Sequence, residues 1–153
     1  MERAWYTLSV WIDNHGSGYT RMKVAPTKRR KQPATVRILV VDDEDAITDL
    51  LETLLVDVGY RVMTAHDGQQ ALAMAREQLP DIVLTDVMMP FMDGLELLHH
   101  LRKDARTSNI PVILMSAASR YNADAAIADG FLAKPFDIDD VIACINHVLT
   151  VPS

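Results

Sequence analysis

Short apolar runs alternate with helix-periodic stretches between residues 36 and 149. The first run, residues 36–41, is almost continuously apolar, which is typical of a strand buried on both faces. Residues 45–58 then carry apolar side chains three or four positions apart, which predicts an amphipathic helix that ends at Gly59. The same alternation recurs four more times along the chain.

Five strands and five helices are predicted in this way. The strands are residues 36–41, 61–65, 81–85, 111–115 and 130–133. The helices are residues 45–58, 69–78 (after an Asp67 N-cap and before Pro80), 94–103, 122–129 and 138–149. The expected buried faces of the first two are Ile47, Leu50, Leu51, Leu54, Leu55 and Val58, and Ala71, Leu72, Ala75 and Leu79. This alternation predicts an α/β fold, a doubly wound five-stranded parallel sheet with helices on both faces.

Charge divides the chain near Pro33. Residues 1–34 hold seven basic and two acidic side chains, a net charge of +5, whereas the remaining residues carry −11. We therefore expect a basic, flexible extension over residues 1–34 and a globular domain over residues 35–153. The length of 153 residues suits one such domain with a tail.

The basic extension has two readings. Its charge run at residues 28–31 favours a solvated linker, because no aromatic or base-reading element accompanies it. The alternative is a nucleic-acid contact that depends on the state of the domain. No apolar run approaches the roughly 18 residues of a membrane span, and a single cysteine, Cys144, favours a cytoplasmic protein without disulfides or a zinc site.

Ionisable and hydroxyl side chains follow four of the five predicted strands. Asp42 and Asp43 follow the first, Asp86 the third, Ser116 the fourth and Lys134 the fifth. Since the carboxyl ends of parallel strands meet at one edge, these groups should converge there. Crowded carboxylates without His or Cys favour Mg²⁺, and a lysine opposite them would suit a phosphoryl group on an aspartate.

Each of these residues also has a structural explanation. Asp43 or Asp45 could cap the first helix, and Asp86 could form a turn. Lys134 before Pro135 could be a solvated turn, and Ser116 alone is uninformative. Their joint position on successive strand ends favours the functional reading.

Four stretches resemble the receiver domain of two-component response regulators, the single-domain CheY-like type. They are Arg37-Ile-Leu-Val-Val-Asp-Asp-Glu44, Asp86-Val-Met-Met-Pro-Phe-Met-Asp-Gly94, Pro111-Val-Ile-Leu-Met-Ser116 and Phe131-Leu-Ala-Lys-Pro-Phe136. The resemblance covers residues 36–149 and implies the flavodoxin-like strand order 2-1-3-4-5.

The resemblance also implies a role for each matching residue. Asp86 would be the phosphoacceptor, and the Mg²⁺ site would consist of Asp42, Asp43, Asp86 and the Met88 backbone carbonyl. Ser116 would be the switch hydroxyl, Phe131 the switch aromatic and Lys134 the phosphate-pairing lysine. Pro135 would follow a cis peptide bond.

The implied function is phosphorylation-dependent signalling rather than enzymatic turnover of a substrate. A sensor histidine kinase or a histidine phosphotransfer protein would supply the phosphoryl group, and a downstream protein would read the altered surface of a monomer or a phosphorylation-dependent dimer. Only eighteen positions separate Ser116 from Lys134, fewer than in most relatives, so dimerisation through the fourth-helix face is not carried over.

Three other phosphate-handling classes fit less well. Haloacid-dehalogenase-type phosphatases place an Asp-x-Asp motif after the first strand, whereas the first two acids here are adjacent. The four acids of residues 42–45 would repel the phosphate of a flavin mononucleotide. A P-loop nucleotidase is excluded because its Gly-rich Lys-Ser/Thr motif is absent.

Overall fold

A computed structural model describes residues 33–117 and 127–150. A short 3₁₀ turn, Pro33–Thr35, leads into the alternating elements. The strands are β1 (Arg37–Val41), β2 (Arg61–Ala65), β3 (Ile82–Asp86), β4 (Val112–Ser116) and β5 (Gly130–Ala133). The helices are α1 (Asp45–Val58), α2 (Gly68–Gln78), α3 (Gly94–Lys103) and α4 (Ile138–Thr150).

The five strands form one parallel sheet in the order β2-β1-β3-β4-β5. This confirms the predicted α/β fold and the strand order. All five predicted strands are present, with β3 and β4 shifted by one residue toward the carboxyl end. The shift follows from pairing, because Asp86 lies opposite Met115 and Ser116 lies opposite Ala133 within the ladder.

The sheet separates two hydrophobic cores. One face packs against α1 and α4, through residues such as Leu55 and Ile145. The other face packs against α2 and α3, through residues such as Leu72 and Leu98. Both faces of the central strands are thereby buried, which explains the near-continuous apolar runs of β1 and β3.

The predicted buried face of α1 was too wide. Leu51 and Leu55 are buried as expected, but Leu50 and Val58 are 53% and 40% exposed. The helix contacts the sheet along a narrow stripe, in which the buried Thr48 satisfies its hydroxyl by donating to the Asp45 carbonyl. Gly59 ends the helix with a φ of 108°, as predicted.

The beginning and end of α2 show one correct and one wrong expectation. Asp67 is the N-cap, and its side chain accepts a hydrogen bond from the Gln70 backbone N–H at 2.7 Å. Ala71, Leu72 and Ala75 are buried, but Leu79 is 48% exposed. Leu79 is the C-cap and has a left-handed backbone, with a φ of 48°, so it leaves the helical register of the inner face.

Two predictions concern residues outside the described ranges. Most of the predicted helix over residues 122–129 lies in residues 118–126, and nearly all of the basic extension lies before residue 33. None of the helices within the described ranges combines the length and apolar character needed to cross a bilayer.

Candidate active site at the carboxyl edge of the sheet

The predicted site residues meet at the carboxyl edge of the sheet. Asp42 follows β1 directly, and Lys134 follows β5. Asp86 and Ser116 are the last residues of β3 and β4, whereas the sequence had placed each just beyond its strand. Polar side chains at the ends of β1, β3, β4 and β5 therefore lie at the same edge of the sheet.

Three carboxylates form a compact acidic cluster at this edge. Asp42, Asp43 and Asp86 each place one carboxylate oxygen within 4.8 Å of the others. Asp42 is fully buried and Asp86 is 6% exposed, while Asp43 lies at the surface. An all-oxygen donor set with one open side is suited to a hard divalent cation.

Lys134 bridges the two buried carboxylates. Its Nζ atom lies 2.9 Å from Asp42 Oδ2 and 3.1 Å from Asp86 Oδ1. Burial is the largest single influence on the pKa of Lys134 and lowers it, but the hydrogen bonds to the two carboxylates and their negative charges together outweigh burial. The pKa of Lys134 is therefore raised, and its ammonium group stays charged beside the acids.

Burial also dominates the electrostatics of Asp86. It raises the pKa of the Asp86 carboxyl above its usual value, and the hydrogen bond from Lys134 opposes this effect. The charges of Asp42 and Asp43 raise the pKa further. The carboxylate of Asp86 is thus destabilised by its surroundings, and a bound cation or a covalent change at its oxygen would relieve that repulsion.

The structure contradicts the helix-cap explanation for the acidic pair. Glu44 occupies the N-cap position of α1, and its side chain makes no capping hydrogen bond. Asp42 instead accepts from the Glu44 backbone N–H at 3.0 Å through Oδ1 and from Lys134 through Oδ2. The turn explanation for Asp86 is also wrong, because Asp86 belongs to the β3 ladder.

The other predicted site residues lie around this cluster at different depths. Ser116 is 5% exposed, and its carbonyl accepts from the Lys134 backbone N–H at 2.9 Å. Met88 lies in the loop after β3, with a side chain that is 74% exposed. Phe131 lies opposite Leu114 within β5 and packs against the core on the α2 and α3 side.

The Lys134–Pro135 peptide bond is cis. This confirms the geometry that the resemblance implied for Pro135.

Sequence reasoning missed the residues that hold the loop between β3 and α3. A Cβ atom at Gly94 would lie within contact distance of the Asp86 carbonyl and 2.9 Å from the Val87 Cα atom. Asp93 caps α3 and shares a capping box with Glu96. The Asp-x-x-Glu spacing was the signal in the sequence, since it is typical of a helix start.

The same loop contains an unusual backbone conformation at Phe91. The residue has a φ of 68°, and the Met92 N–H donates to the Pro90 carbonyl at 2.9 Å across it. Phe91 is therefore the central residue of a γ-turn, and its side chain is 96% exposed. Bulky residues rarely adopt this conformation, and nothing in the sequence reasoning predicted it.

Sequence comparisons identify relatives over most of the described chain. A family model described as the response regulator receiver domain matches residues 38–146. The DNA-binding dual master transcriptional regulator RpaA of Synechocystis is 37% identical over 117 residues, which are 74% of this chain and 48% of RpaA. Response regulator PleD of Caulobacter vibrioides is 48% identical over 112 residues, 71% of this chain and 24% of PleD. The chain thus spans half the length or less of these curated relatives.

Solved structures show the same fold over nearly their whole length. Chemotaxis protein CheY4 of Vibrio cholerae matches with a TM-score of 0.71 and 31% identity, over 74% of this chain and 98% of CheY4. Response regulator TrrA of Thermotoga maritima, in complex with Mg²⁺ and BeF, matches with a TM-score of 0.69 and 34% identity, over 74% of this chain and 99% of TrrA.

A third structure, the receiver domain of sensor histidine kinase PA1611 from Pseudomonas aeruginosa, has a magnesium ion in its active-site cleft. It matches with a TM-score of 0.71 and 28% identity, over 76% of this chain and 98% of that domain. The family model, the shared strand order and the acid–lysine edge agree with one another, and the chain belongs to the response regulator receiver domain family.

Proposed function

We propose that this receiver domain, residues 35–153, accepts a phosphoryl group on Asp86 and signals through the resulting change of shape. The observation that carries the proposal is the Lys134 ammonium group held between Asp42 and Asp86, at 2.9 and 3.1 Å. The buried Asp86 carboxylate, repelled by the neighbouring acids and held beside a fixed ammonium group, is suited to attack phosphorus. The positive charge of Lys134 would stabilise the negative charge of the phosphoryl group during transfer.

Magnesium fits the donor set of this edge. Asp42, Asp43 and Asp86 supply oxygens within 4.8 Å of one another, and the two relatives described above bind Mg²⁺ in their structures. Asp43, Asp86 and the Met88 carbonyl would be direct ligands, with Asp42 supporting them. When bound, the ion would neutralise the phosphoryl oxygens during transfer.

The transfer itself is a displacement at phosphorus. An Asp86 carboxylate oxygen forms a bond to phosphorus while the bond from phosphorus to the donor atom breaks, and the donor keeps the electron pair. Lys134 then exchanges its contact with the Asp86 carboxylate for one with a phosphoryl oxygen. The product is an acyl phosphate with roughly two negative charges.

Ser116 and Phe131 convert this charge into a change of surface. The Ser116 hydroxyl lies on the neighbouring strand end and would donate a hydrogen bond to a phosphoryl oxygen. The loop after β4 would follow it, and Phe131 would turn toward the space that this movement opens. The result is a shift between two populated states rather than catalytic turnover of a substrate.

The partners follow from this chemistry. A histidine kinase or histidine phosphotransfer protein supplies the phosphoryl group in the cytoplasm, where the single cysteine stays reduced. A downstream protein reads the altered surface, either of a monomer or of a phosphorylation-dependent dimer. The alternative, a nucleic-acid contact by residues 1–34, gains no support from the described residues.

The test is the mass of the intact protein after incubation with Mg²⁺ and acetyl phosphate, and separately with phosphoramidate. The parent should gain one phosphoryl group, and Asp86→Asn should gain none. Removing Mg²⁺ with a chelator should slow the gain by about tenfold or more, since the ion stabilises charge in transfer. Asp49→Asn, an exposed aspartate on α1, is the matched control and should behave as the parent.

Two results would contradict the proposal. One is a parent protein that gains no phosphoryl group from either donor. The other is an Asp86→Asn protein that gains the group as fast as the parent does.

A further inference from the structure

The edge strand β5 is held at both of its ends. It is four residues long, and within the described ranges it pairs with β4 alone. At the site end, the Lys134 N–H donates to the Ser116 carbonyl, and Lys134 Nζ contacts Asp42 and Asp86. At the far end, the Asp129 N–H donates to the Val112 carbonyl at 2.9 Å. A short strand with one neighbour depends strongly on such end contacts.

The far end has an additional contact that involves α3. Arg102 donates to Asp129 Oδ2 at 2.6 Å, and to the carbonyls of Ile110 at 2.7 Å and Ser108 at 3.2 Å. The same Asp129 oxygen accepts from the Val112 N–H at 2.8 Å. We call the Arg102–Asp129 ion pair the brace, because it ties α3, the start of β4 and the residue before β5 together.

Along the chain, Phe131 lies between Asp129 of the brace and Lys134 of the site. It is two residues after Asp129 and three before Lys134, and it packs against the core on the α2 and α3 side of the sheet. Arg102 extends from α3, on that same side. A residue that fixes the start of β5 therefore also fixes the position of the Phe131 backbone relative to α3.

Space behind β5 is limited as well. A Cβ atom at Gly130 would lie 2.9 Å from the Val148 side chain of α4 and 3.2 Å from the Ile113 side chain of β4. The strand cannot shift toward α4 without displacing that helix. With its far end braced and little room toward α4, β5 can respond to a change at Lys134 by rotation of its side chains without moving as a whole.

We propose that Arg102 and Asp129 are positioning residues for the switch, because they hold β5 in place while the Phe131 side chain responds to phosphorylation. This inference rests on the proposed function, since it needs a signal at Asp86. Without the brace, β5 would follow Lys134 as a whole, and less of the signal would reach Phe131.

The test uses fluorine NMR of the full chain labelled with fluorophenylalanine. The sequence contains three phenylalanines, so three resonances are expected, and a Phe131→Leu variant assigns the relevant one. Addition of Mg²⁺ and beryllofluoride, as a mimic of the phosphoryl group, should move the Phe131 resonance in the parent. The Phe131 signal intensity at the loaded chemical shift, divided by the intensity at the unloaded chemical shift, measures the population of the switched state.

The variants are Arg102→Gln and Asp129→Asn. Asparagine keeps an oxygen for the Val112 N–H but removes the ion pair. In both variants we expect that ratio to fall about fivefold, the scale on which a residue couples two sites. Phosphoryl gain from acetyl phosphate should stay within about twofold of the parent, because neither residue touches the acidic cluster.

Arg76→Gln is the matched control, since Arg76 joins α2 to Asp104 at the end of α3 through a 2.9 Å ion pair. Its Phe131 ratio should equal that of the parent.

The outcomes separate the inference from the proposed function. A parent whose Phe131 resonance responds, with Arg102→Gln and Asp129→Asn responding equally, would overturn the inference alone. An equal fall in Arg76→Gln would also overturn it, because the effect would then be general loss of stability. A parent that neither gains a phosphoryl group nor responds to beryllofluoride would overturn the proposed function and this inference with it.

Discussion

At the scale of single residues, Phe91 combines a strained backbone with an exposed side chain. Its positive φ places a bulky residue in a backbone conformation that glycine adopts without steric cost. Because the ring is 96% exposed, it gains little from packing that would offset this cost. The strain is therefore carried by the loop that connects Asp86 to α3.

Phe91→Gly should raise the free energy of unfolding by about 1 kcal/mol, since it relieves the positive φ and sacrifices almost no buried surface. Urea unfolding monitored by circular dichroism measures this change. Phe91→Ala is the control, because it removes the ring but keeps the Cβ atom, and it should leave stability nearly unchanged. Equal stabilisation by both variants would show that the ring, and not the backbone, carries the cost.

The residue scale also shows what the sequence could predict about the site. Asp42, Asp86 and Lys134 were predictable because parallel strands end at one edge, so position along the chain was enough. The bridging of two acids by Lys134 was not predictable, because it depends on the conformation of a long flexible side chain. The γ-turn at Phe91 was also not predictable, since no residue propensity favours a positive φ at phenylalanine.

At the scale of elements, the start of α3 controls the position of the β3 end. Gly94 approaches the Asp86 carbonyl so closely that no side chain fits between them. The helix is fixed there by the capping box of Asp93 and Glu96. A helix start and a strand end thus share one tight contact, directly behind the proposed phosphoacceptor.

Gly94→Ala should lower the free energy of unfolding by about 2 kcal/mol, as overpacking does, and should also slow phosphoryl gain by displacing Asp86. Unfolding in urea and the mass assay with acetyl phosphate measure the two effects. Gly130→Ala is the matched control, because its new methyl group would meet the Val148 side chain far from the acids. It should lose stability but gain the phosphoryl group at the parental rate. Parental kinetics in Gly94→Ala would contradict the positioning role of this contact.

Element existence was more predictable than element packing. Every predicted strand is present, because short continuous apolar runs are typical of strands that are buried on both faces of a parallel sheet. The exposed Leu50 and Leu79 were expected to be buried, and the sequence does not reveal how much of a helix surface the sheet covers. Helical periodicity identifies an apolar face but does not set its width.

At the scale of the whole molecule, strand order determines how stability is distributed. The central strand β3 is buried along its full length and pairs with β1 and β4. Among the strands of residues 33–117 and 127–150, the edge strands β2 and β5 each have one neighbour. Edge strands open more easily than central ones, since fewer contacts must break.

Amide hydrogen exchange should therefore be slowest in β1 and β3, with a free energy equal to that of global unfolding, and faster in β5. Mg²⁺ and beryllofluoride should slow exchange in β5, because Lys134 would then contact the bound phosphoryl mimic as well as Asp42. Edge strand β2 carries none of the proposed site residues and is the internal control, so its exchange should change less. Protection of unloaded β5 equal to that of β3 would contradict this ranking.

This ranking has a consequence for how the domain can signal. The strand that contains Phe131 and directly precedes Lys134 is also one whose opening does not require the central strands to open. A signal at the site can thus change local opening at one margin of the sheet while the centre stays closed. The central strands β1 and β3 then protect the domain against proteolysis, while β5 can change its local opening in response to the signal.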